Sequence, residues 1–330
     1  MVLIASPPSY VFLSAFNIVL SPVALAVLFP LSSYLTTQER LAVPVPSKCT
    51  TTHMILAPPA DTAAKGRIFF LHGWPDSLVL FYEHAQAMRE QGFECVLMQL
   101  PGYPVTTTLP VIKGTLPRRE WGYSFKEVVD AVAFTMQTVN AELGPSKGEV
   151  CLCNHDWGAF TSYLLLSKYT PAELGITRMV TLDVGLRKVM PAKMGLLVLL
   201  YQTFLNIAWI MPRFIGDAMT RAFAYLLNTP AKEVAQASQN GLYREVWRTM
   251  ALKEWQELKP VTPKAMPWLF CYGTEGPEWS RWSDDGFYAE VRASHATSRV
   301  EAFDSDHWFF CHGQHKQRFL GMLADWMRKQ

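Results

Sequence analysis

The sequence has little charge, since Asp, Glu, Lys and Arg make up only 18% of its 330 residues. It contains 30 basic and 28 acidic residues, which gives a formal net charge of +2, and it has no long basic run. Nothing therefore favours binding to nucleic acid. Half of the residues are hydrophobic, which provides for a sizeable core and argues against wholesale disorder. The sequence also contains no internal repeat and no low-complexity tract.

Cysteine and histidine spacings of the kind that bind zinc are also missing, so we predict no metal ion. Of the six cysteines, Cys95, Cys151 and Cys271 lie in apolar runs, and Cys153 follows one. Cys151 and Cys153 would face the same side of one strand, which is a poor arrangement for a disulfide. We therefore expect free, buried thiols, which are typical of a reducing compartment.

Charge is missing altogether before Glu39, and residues 9 to 35 are mostly apolar. A membrane-spanning helix needs about 20 such residues, and Pro22 would kink it without excluding it from a membrane. A cleaved signal peptide is less well supported, because the segment has no basic n-region and no clean cleavage site. An apolar arm packed on the domain would need a large groove. We predict that residues 1–38 form a membrane anchor.

Short apolar runs bounded by Gly, Pro or Asp predict six buried strands. These are Arg67–Leu71, Cys95–Leu100, Val150–Cys153, Met179–Leu182, Trp268–Tyr272 and Val300–Phe303. Between several of them lie amphipathic stretches with helical spacing, at residues 77–92 and 124–139, and another ends the chain at 315–329. This alternation predicts an α/β fold whose mainly parallel sheet is covered by helices on both faces.

One block, residues 185–261, contains several helical patterns and no convincing strand. It predicts a helical cap, or lid, inserted into an α/β core formed by residues 39–184 and 262–330. The apolar stretch 195–211 within the cap could instead be a second membrane span. Basic residues on both sides leave it short, which favours the cap; they are Lys188, Lys193 and Arg213.

The sequence Asn154-His155-Asp156-Trp157-Gly158 stands between an apolar strand and a helical stretch. The pattern small-x-nucleophile-x-Gly at such a junction is typical of a nucleophile elbow, which presents one side chain on a strained turn. The helix N-terminus that follows stabilises an ionised carboxylate. Asp156 is therefore the candidate nucleophile, although an Asp that caps a helix would give a similar pattern.

Two further motifs follow predicted strands. His72-Gly73-Trp74-Pro75 comes directly after the first one, where the backbone N–H groups of Trp74 and Trp157 could form an oxyanion hole. His307 comes just after the last strand, in the position that a general base requires. His72 and His155 are better explained as residues that structure turns.

Together these motifs resemble the epoxide hydrolase and haloalkane dehalogenase branch of the α/β-hydrolases, over roughly residues 50 to 330. The matching segments are His72-Gly73-Trp74-Pro75, His155-Asp156-Trp157-Gly158-Ala159 and Asp306-His307-Trp308. The resemblance implies an α/β-hydrolase fold and an aspartate nucleophile that needs no cofactor. A carboxylate that attacks an sp³ carbon leaves an ester, and His307 can then activate water against it.

Epoxide hydrolases also use two lid tyrosines as hydrogen-bond donors to the epoxide oxygen. The segment "GLYREVW" is similar to the Tyr-Arg segment of the family, so Tyr243 is one candidate. The segment "LLYQTFL", earlier in the predicted lid, contains the second candidate, Tyr201. Tyrosine suits this task because its ordinary pKa is about 10. Tyr201 could equally be a core aromatic residue of an apolar helix.

The chain departs from the family pattern at three places. It has Gln99-Leu100-Pro101-Gly102-Tyr103-Pro104 where the family usually has Asp-x-Arg-Gly-Tyr-Gly, and Asn154 where a glycine is usual. Gly276 stands where many members carry the acid that orients the histidine. Asp183 is our choice for this acid, because it closes the preceding buried strand, with Glu275 and Glu278 as alternatives.

The leading hypothesis is a membrane-anchored epoxide hydrolase that converts a small lipophilic epoxide to a vicinal diol. The alternatives are a haloalkane dehalogenase and a catalytically inactive protein of the same fold that only binds. Arg40 and Lys48 follow the predicted anchor, so we expect the catalytic domain on the cytoplasmic side of the membrane.

Overall fold

The computed structural model describes residues 48–104, 113–117, 119, 122–187, 191–252, 254, 259–264, 266–276 and 281–328. The predicted membrane anchor, residues 1–38, lies outside this part of the chain. Within it, one helix, Ala192–Ile210, is long and apolar enough to cross a membrane, judged by length and composition.

The described strands form one seven-stranded sheet in the spatial order β1-β3-β2-β4-β5-β6-β7. Their bounds are His53–Leu56 (β1), Arg67–Leu71 (β2), Glu94–Met98 (β3), Val150–His155 (β4), Arg178–Leu182 (β5), Trp268–Gly273 (β6) and Arg299–Phe303 (β7). β1 pairs antiparallel with β3, and the other pairs are parallel. The prediction of a mainly parallel sheet is confirmed.

Strand β1 is the one element of the sheet that the sequence pattern does not predict. It has only four residues and lies at the edge of the sheet.

Nine α-helices are described in this part of the chain. Their bounds are Tyr82–Glu90 (α1), Phe125–Leu143 (α2), Trp157–Lys168 (α3), Pro171–Leu174 (α4), Ala192–Ile210 (α5), Arg213–Leu226 (α6), Gly241–Ala251 (α7), Asp285–Ser294 (α8) and Gly313–Arg328 (α9). Short 3-10 turns lie at Leu78–Phe81, Lys232–Val234, Ala237–Asn240 and Phe309–Cys311. Ser124 and Glu127 form a capping box at the start of α2, which satisfies two backbone donors at the helix end.

Two hydrophobic cores lie on opposite faces of the sheet. Successive residues of β2 alternate between them, so that Phe69 packs in one core and Phe70 in the other. Helices α2, α3 and α8 contribute to the first core, and α1 and α9 contribute to the second. Because both faces of the sheet are covered, the sequences of its inner strands are mostly continuous apolar runs and do not alternate between polar and apolar residues.

Helices α5, α6 and α7 occupy residues 191–252, between β5 and β6, and this described stretch contains no strand. Two residues join α5 to α6, and the two helices pack against each other. The contact is close, since a Cβ at Gly216 would lie 2.1 Å from the Ala208 carbonyl oxygen. Trp74 connects this helical segment to the sheet, because its Nε1 donates to Asn240 Oδ1 at 2.8 Å.

The six cysteines carry free thiols in the structure. Cys151 and Cys153 lie on the same face of β4 in the second core. Burial raises the pKa of both thiols above the ordinary value, which keeps them protonated and unreactive.

Candidate active site

The candidate residues lie together at the carboxyl edge of the sheet. Asp156 directly follows β4 and Asp183 directly follows β5, while His307 lies in the loop after β7. The His72-Gly73-Trp74 turn follows β2, whose neighbours in the sheet are β3 and β4. Strand order reverses there, and parallel α/β sheets bind ligands at such a switch point.

Asp156 lies on a strained turn between β4 and α3. Its φ is 51°, in the left-handed region that residues with a Cβ rarely adopt. Its side chain makes no capping hydrogen bond to α3, so the carboxylate is not used as a helix cap. A Cβ at Gly158 would lie 2.3 Å from the Leu71 carbonyl oxygen, and a Cβ at Gly73 would lie 2.3 Å from Asp156 Cβ. Both positions therefore require glycine.

The two oxygens of the Asp156 carboxylate have different surroundings. The backbone N–H of Trp74 donates to Oδ1 at 2.6 Å, and the backbone N–H of Trp157 lies near enough to favour the ionised carboxylate. Oδ2 lies 3.7 Å from Nε2 of His307. Burial raises the pKa of Asp156 above its ordinary value, while His307 and the two N–H donors oppose this rise. The same donors can stabilise an oxyanion on Oδ1.

Asp183 holds His307 in a fixed orientation. Nδ1 of His307 lies 2.5 Å from Oδ2 of Asp183, and Oδ1 of Asp183 accepts from the Gly273 backbone N–H at 2.8 Å. With Nδ1 bonded to a carboxylate, Nε2 is directed toward Asp156. Burial alone would lower the pKa of His307, but the charges of Asp183, Asp156 and Asp76 outweigh it and raise the pKa.

Of the two alternative acids, the structure describes only Glu275. The backbone N–H of Glu275 donates to the Ser305 carbonyl at 2.9 Å, and Glu278 lies outside the described residues. The carboxylate that lies against Nδ1 of His307 is that of Asp183.

Both candidate tyrosines belong to an aromatic cluster beside Asp156. The ring of Tyr243, on α7, lies 5.0 Å from that of Trp157 and 5.9 Å from that of Tyr201. Tyr201, on α5, stacks on Phe223 of α6. Burial raises the pKa of each phenol above its ordinary value, and the charge of Asp156 adds to the rise. Both hydroxyls therefore remain protonated and can act as donors.

Asp76 is a buried acid of the site that the sequence reasoning missed. Trp308 Nε1 donates to its Oδ2 at 2.9 Å, while its Oδ1 has no hydrogen-bond partner among the described residues. Burial raises its pKa to about 7, and the Asp156 charge adds to this. The available signal was its position directly after the His72-Gly73-Trp74-Pro75 turn.

The two histidines interpreted as turn residues make structural contacts. His72 Nε2 accepts from the Leu100 N–H at 3.0 Å, and burial lowers its pKa to about 4. His155 Nε2 lies 3.2 Å from the His307 carbonyl oxygen and donates to it, and burial lowers its pKa well below the ordinary value. Both rings are therefore neutral, and they support the loops that carry the site.

Among the described residues, no group of three or more His, Cys, Asp and Glu side chains could hold a metal ion. Asn154, which replaces the usual glycine two residues before Asp156, is fully buried. Its side-chain nitrogen and oxygen have no hydrogen-bond partner among the described residues. Nothing in the structure explains this choice of residue.

A family model described as alpha/beta hydrolase fold matches residues 66–268 of the chain. The epoxide hydrolase srdG of Neurospora crassa is 28% identical over 138 residues, which are 41% of this chain and 36% of that protein. The aligned region therefore spans only about a third of this curated relative.

Solved structures resemble the chain over most of its length. Potato (Solanum tuberosum) epoxide hydrolase matches with a TM-score of 0.57 and 15% identity, covering 87% of this chain and 98% of that one. A Bacillus megaterium epoxide hydrolase matches with a TM-score of 0.57 and 14% identity, covering 84% and 97%. An Exiguobacterium antarcticum esterase matches with a TM-score of 0.55 and 13% identity, covering 84% and 95%. The predicted fold is confirmed. Because an esterase matches nearly as well, the fold does not identify the reaction.

Proposed function

Because the chain belongs to the alpha/beta hydrolase fold family, we propose that it hydrolyses a small apolar epoxide to a vicinal diol through an ester on Asp156. The arrangement around the Asp156 carboxylate is the observation that supports this proposal. Oδ1 is held by the Trp74 N–H at 2.6 Å, and Oδ2 is directed toward His307. One oxygen is thus placed to attack, and the other to accept negative charge.

In the first step, Asp156 Oδ2 attacks one carbon of the epoxide ring. The C–O bond to the ring oxygen breaks, and that oxygen takes a proton from one of the two phenols, Tyr201 or Tyr243, which becomes a phenolate. Tyr201 and Tyr243 supply the hydrogen bonds to it, because both phenols are protonated and contact each other above Trp157. The product is a hydroxyalkyl ester of Asp156.

In the second step, water cleaves the ester. His307 Nε2 takes a proton from this water, which attacks the carboxyl carbon of Asp156, and the negative charge develops on Oδ1 between the Trp74 and Trp157 N–H groups. The distance of 3.7 Å between Nε2 and Oδ2 places the base next to the carboxyl group that this water attacks. Asp183 stabilises the imidazolium that forms. When the intermediate collapses, the bond to the diol oxygen breaks and that oxygen takes the proton from the His307 imidazolium. The carboxylic acid left on Asp156 then gives its proton to the phenolate formed in the first step, which regenerates the carboxylate and both phenols.

An aspartate nucleophile suits an sp³ carbon better than a serine would. Serine would leave an ether, which water does not cleave readily, whereas the ester on Asp156 is open to attack at its carbonyl carbon. The chain shares its fold with an esterase, but the residue at the elbow is Asp156. This difference supports alkyl transfer followed by ester hydrolysis.

The decisive experiment is a single turnover in ¹⁸O-water with excess enzyme. The diol should carry little label while Asp156 acquires it, because water attacks the aspartyl carbonyl and the first product oxygen comes from the protein. His307→Gln should stop the cycle at the ester and give a mass adduct on the peptide that contains Asp156. Ser167→Ala, a change at an exposed position near the end of α3, is the control and should behave as the wild type.

Three outcomes of this experiment discriminate between the candidate functions. An adduct from a haloalkane but from no epoxide would identify a dehalogenase. Label that enters the diol directly would exclude the ester. A folded protein that forms no adduct with a broad panel of either substrate class would leave a protein that only binds.

We also propose that residues 1–38 anchor the chain in a membrane, with residues 39–184 and 262–330 as the catalytic core and 185–261 as its cap. The support is the uncharged, apolar stretch at residues 9 to 35. The full chain should remain in the pellet after carbonate extraction, and deletion of residues 1–38 should release it. A full chain found in the supernatant would contradict the anchor.

A further inference from the structure

Exposed large hydrophobic side chains are concentrated on one part of the molecule. Ten of the eleven in the described chain lie between residues 196 and 234, on or next to helices α5 and α6. We name them the cap outer face: Leu196, Leu197, Leu200, Ile207, Met211, Phe214, Ile215, Tyr225, Leu226 and Val234. Phe214 and Leu226 are each 76% exposed. Such a concentration on one hairpin is unusual for a surface that faces only water.

Helix α5 has an apolar outer side and a second side buried in the protein. Leu196, Leu200 and Ile207 are exposed, while Gln202 and Asn206 are buried on the inner side. A span surrounded by lipid would have to expose these amides to hydrocarbon, which is costly. The helix is long and apolar enough for a span, but with one side buried in the protein it fits a position along a membrane surface better than one across the bilayer.

Basic residues accompany the cap outer face. Residues 191–234 contain four basic side chains, Lys193, Arg213, Arg221 and Lys232, against the acids Asp217 and Glu233. Lys193 and Arg213 are exposed and lie at the starts of α5 and α6. Asp217 accepts from the Ala237 backbone N–H at 2.7 Å. Cations around an exposed apolar surface complement the anionic headgroups of a phospholipid bilayer.

From this combination we propose that the cap outer face docks on the surface of an anionic phospholipid bilayer, with its apolar side chains inserted among the lipids. The proposal rests on the surface of the hairpin and holds whatever reaction the site catalyses. The opposite side of the same hairpin contacts the candidate site, since Phe223 of α6 lies 6.0 Å from the Tyr201 ring and 5.7 Å from the Trp74 ring. Docking would place the site about one helix diameter, roughly 10 Å, from the lipid.

Photo-crosslinking identifies what covers the cap outer face. The full chain carries p-benzoylphenylalanine in place of Phe214, is mixed with vesicles of phosphatidylcholine and phosphatidylserine, and is irradiated. We expect a lipid adduct on the peptide containing position 214. The control carries the same amino acid in place of Asp325, an exposed residue of α9, and should give no lipid adduct even if another segment holds the chain on the vesicle.

Three other outcomes of the crosslinking are possible, and each would overturn the proposal. A crosslink from position 214 to residues 9–35 of the same chain means that this segment covers the surface. A crosslink to a second copy means that the face is a dimer interface. The absence of any adduct means that it faces water.

Substitutions on the same surface provide a second test. Leu200→Glu combined with Leu226→Glu should reduce the lipid adduct at position 214 by about tenfold or more, because carboxylates are repelled by anionic lipid and resist insertion. Val79→Glu is the matched control, since Val79 is the one exposed large hydrophobic residue of the described chain outside this face. Equal adduct yields in the double variant and the control would overturn the proposal.

Discussion

The Nδ1 atom of His307 and the Oδ2 atom of Asp183 lie 2.5 Å apart, although 124 positions separate the two residues in the chain. The contact forms because β5 and β7 flank β6, so that the segments after β5 and β7 meet at the same edge of the sheet. It fixes the ring so that Nε2 is directed toward Asp156. The first two predictions concern this contact.

Asp183→Asn should slow cleavage of the ester more than its formation. The amide cannot stabilise the imidazolium that His307 becomes when it takes a proton, whereas alkylation of Asp156 needs no base. We expect hydrolysis of the ester to slow by about 10²–10⁴-fold, so that a covalent adduct accumulates in single-turnover mass spectrometry. Glu275→Gln is the control and should turn over as the wild type. Adduct accumulation in Glu275→Gln instead would transfer the role to Glu275.

The same contact predicts how His307 titrates. The charges of Asp183, Asp156 and Asp76 outweigh burial and raise the pKa of His307 above 6.5. NMR titration of the ring in the resting enzyme should therefore give a midpoint above pH 6.5, and Asp183→Asn should move it to lower pH.

The ester-cleavage step should show the same titration at lower pH. His307 acts as a base only when it is neutral, so the rate should rise with pH through the pKa of the ring. Asp156 is uncharged as an ester and no longer raises that pKa, so the midpoint should be lower than in the resting enzyme. A rate that falls as pH rises through this range would exclude His307 as the base.

Tyr201→Phe combined with Tyr243→Phe should suppress alkylation of Asp156 by an epoxide. Loss of one donor to a developing oxyanion typically costs about 10²–10³-fold in rate, and the pair should cost at least as much. A haloalkane should be affected far less, because a departing halide needs no proton. Tyr225→Phe, which alters an exposed tyrosine of the same cap, is the matched control. Equal losses with both substrates would assign the two tyrosines to packing.

Asn240→Ala should destabilise the protein. The Trp74 indole N–H donates to Asn240 Oδ1 at 2.8 Å, and the contact is buried. Without Asn240 the N–H is left unsatisfied, at a cost of about 1–3 kcal/mol in the free energy of unfolding. Urea denaturation measures this as a lower midpoint. Gln137→Ala removes an exposed hydrogen bond to the Glu173 carbonyl and should change stability by less than about 0.5 kcal/mol. An equal loss of stability in the two variants would show that the buried hydrogen bond to Trp74 does not contribute as expected.

The sequence by itself determined the layout of the fold. Six strands were predictable from short apolar runs, because strands buried on both faces are mostly apolar. Strand β7, at the edge of the sheet, is only partly buried. The elbow residue Asp156 and the turn at Gly73 were also recognisable, since each depends on neighbours along the chain. Strand β1, which adds the antiparallel edge of the sheet, was not predicted.

Only the tertiary structure decided which distant side chains meet. The sequence left Asp183, Glu275 and Glu278 open as partners of His307, and the order of the strands places Asp183 against the ring. Asp76 belongs to the site because Trp308 folds over it, a contact that no local pattern encodes. The apolar sequence of α5 is likewise compatible with a core helix, a membrane span or a docking surface. The packing of Gln202 and Asn206 against the protein, with Leu200 left exposed, separates these possibilities, because burial depends on what the rest of the chain places around a helix.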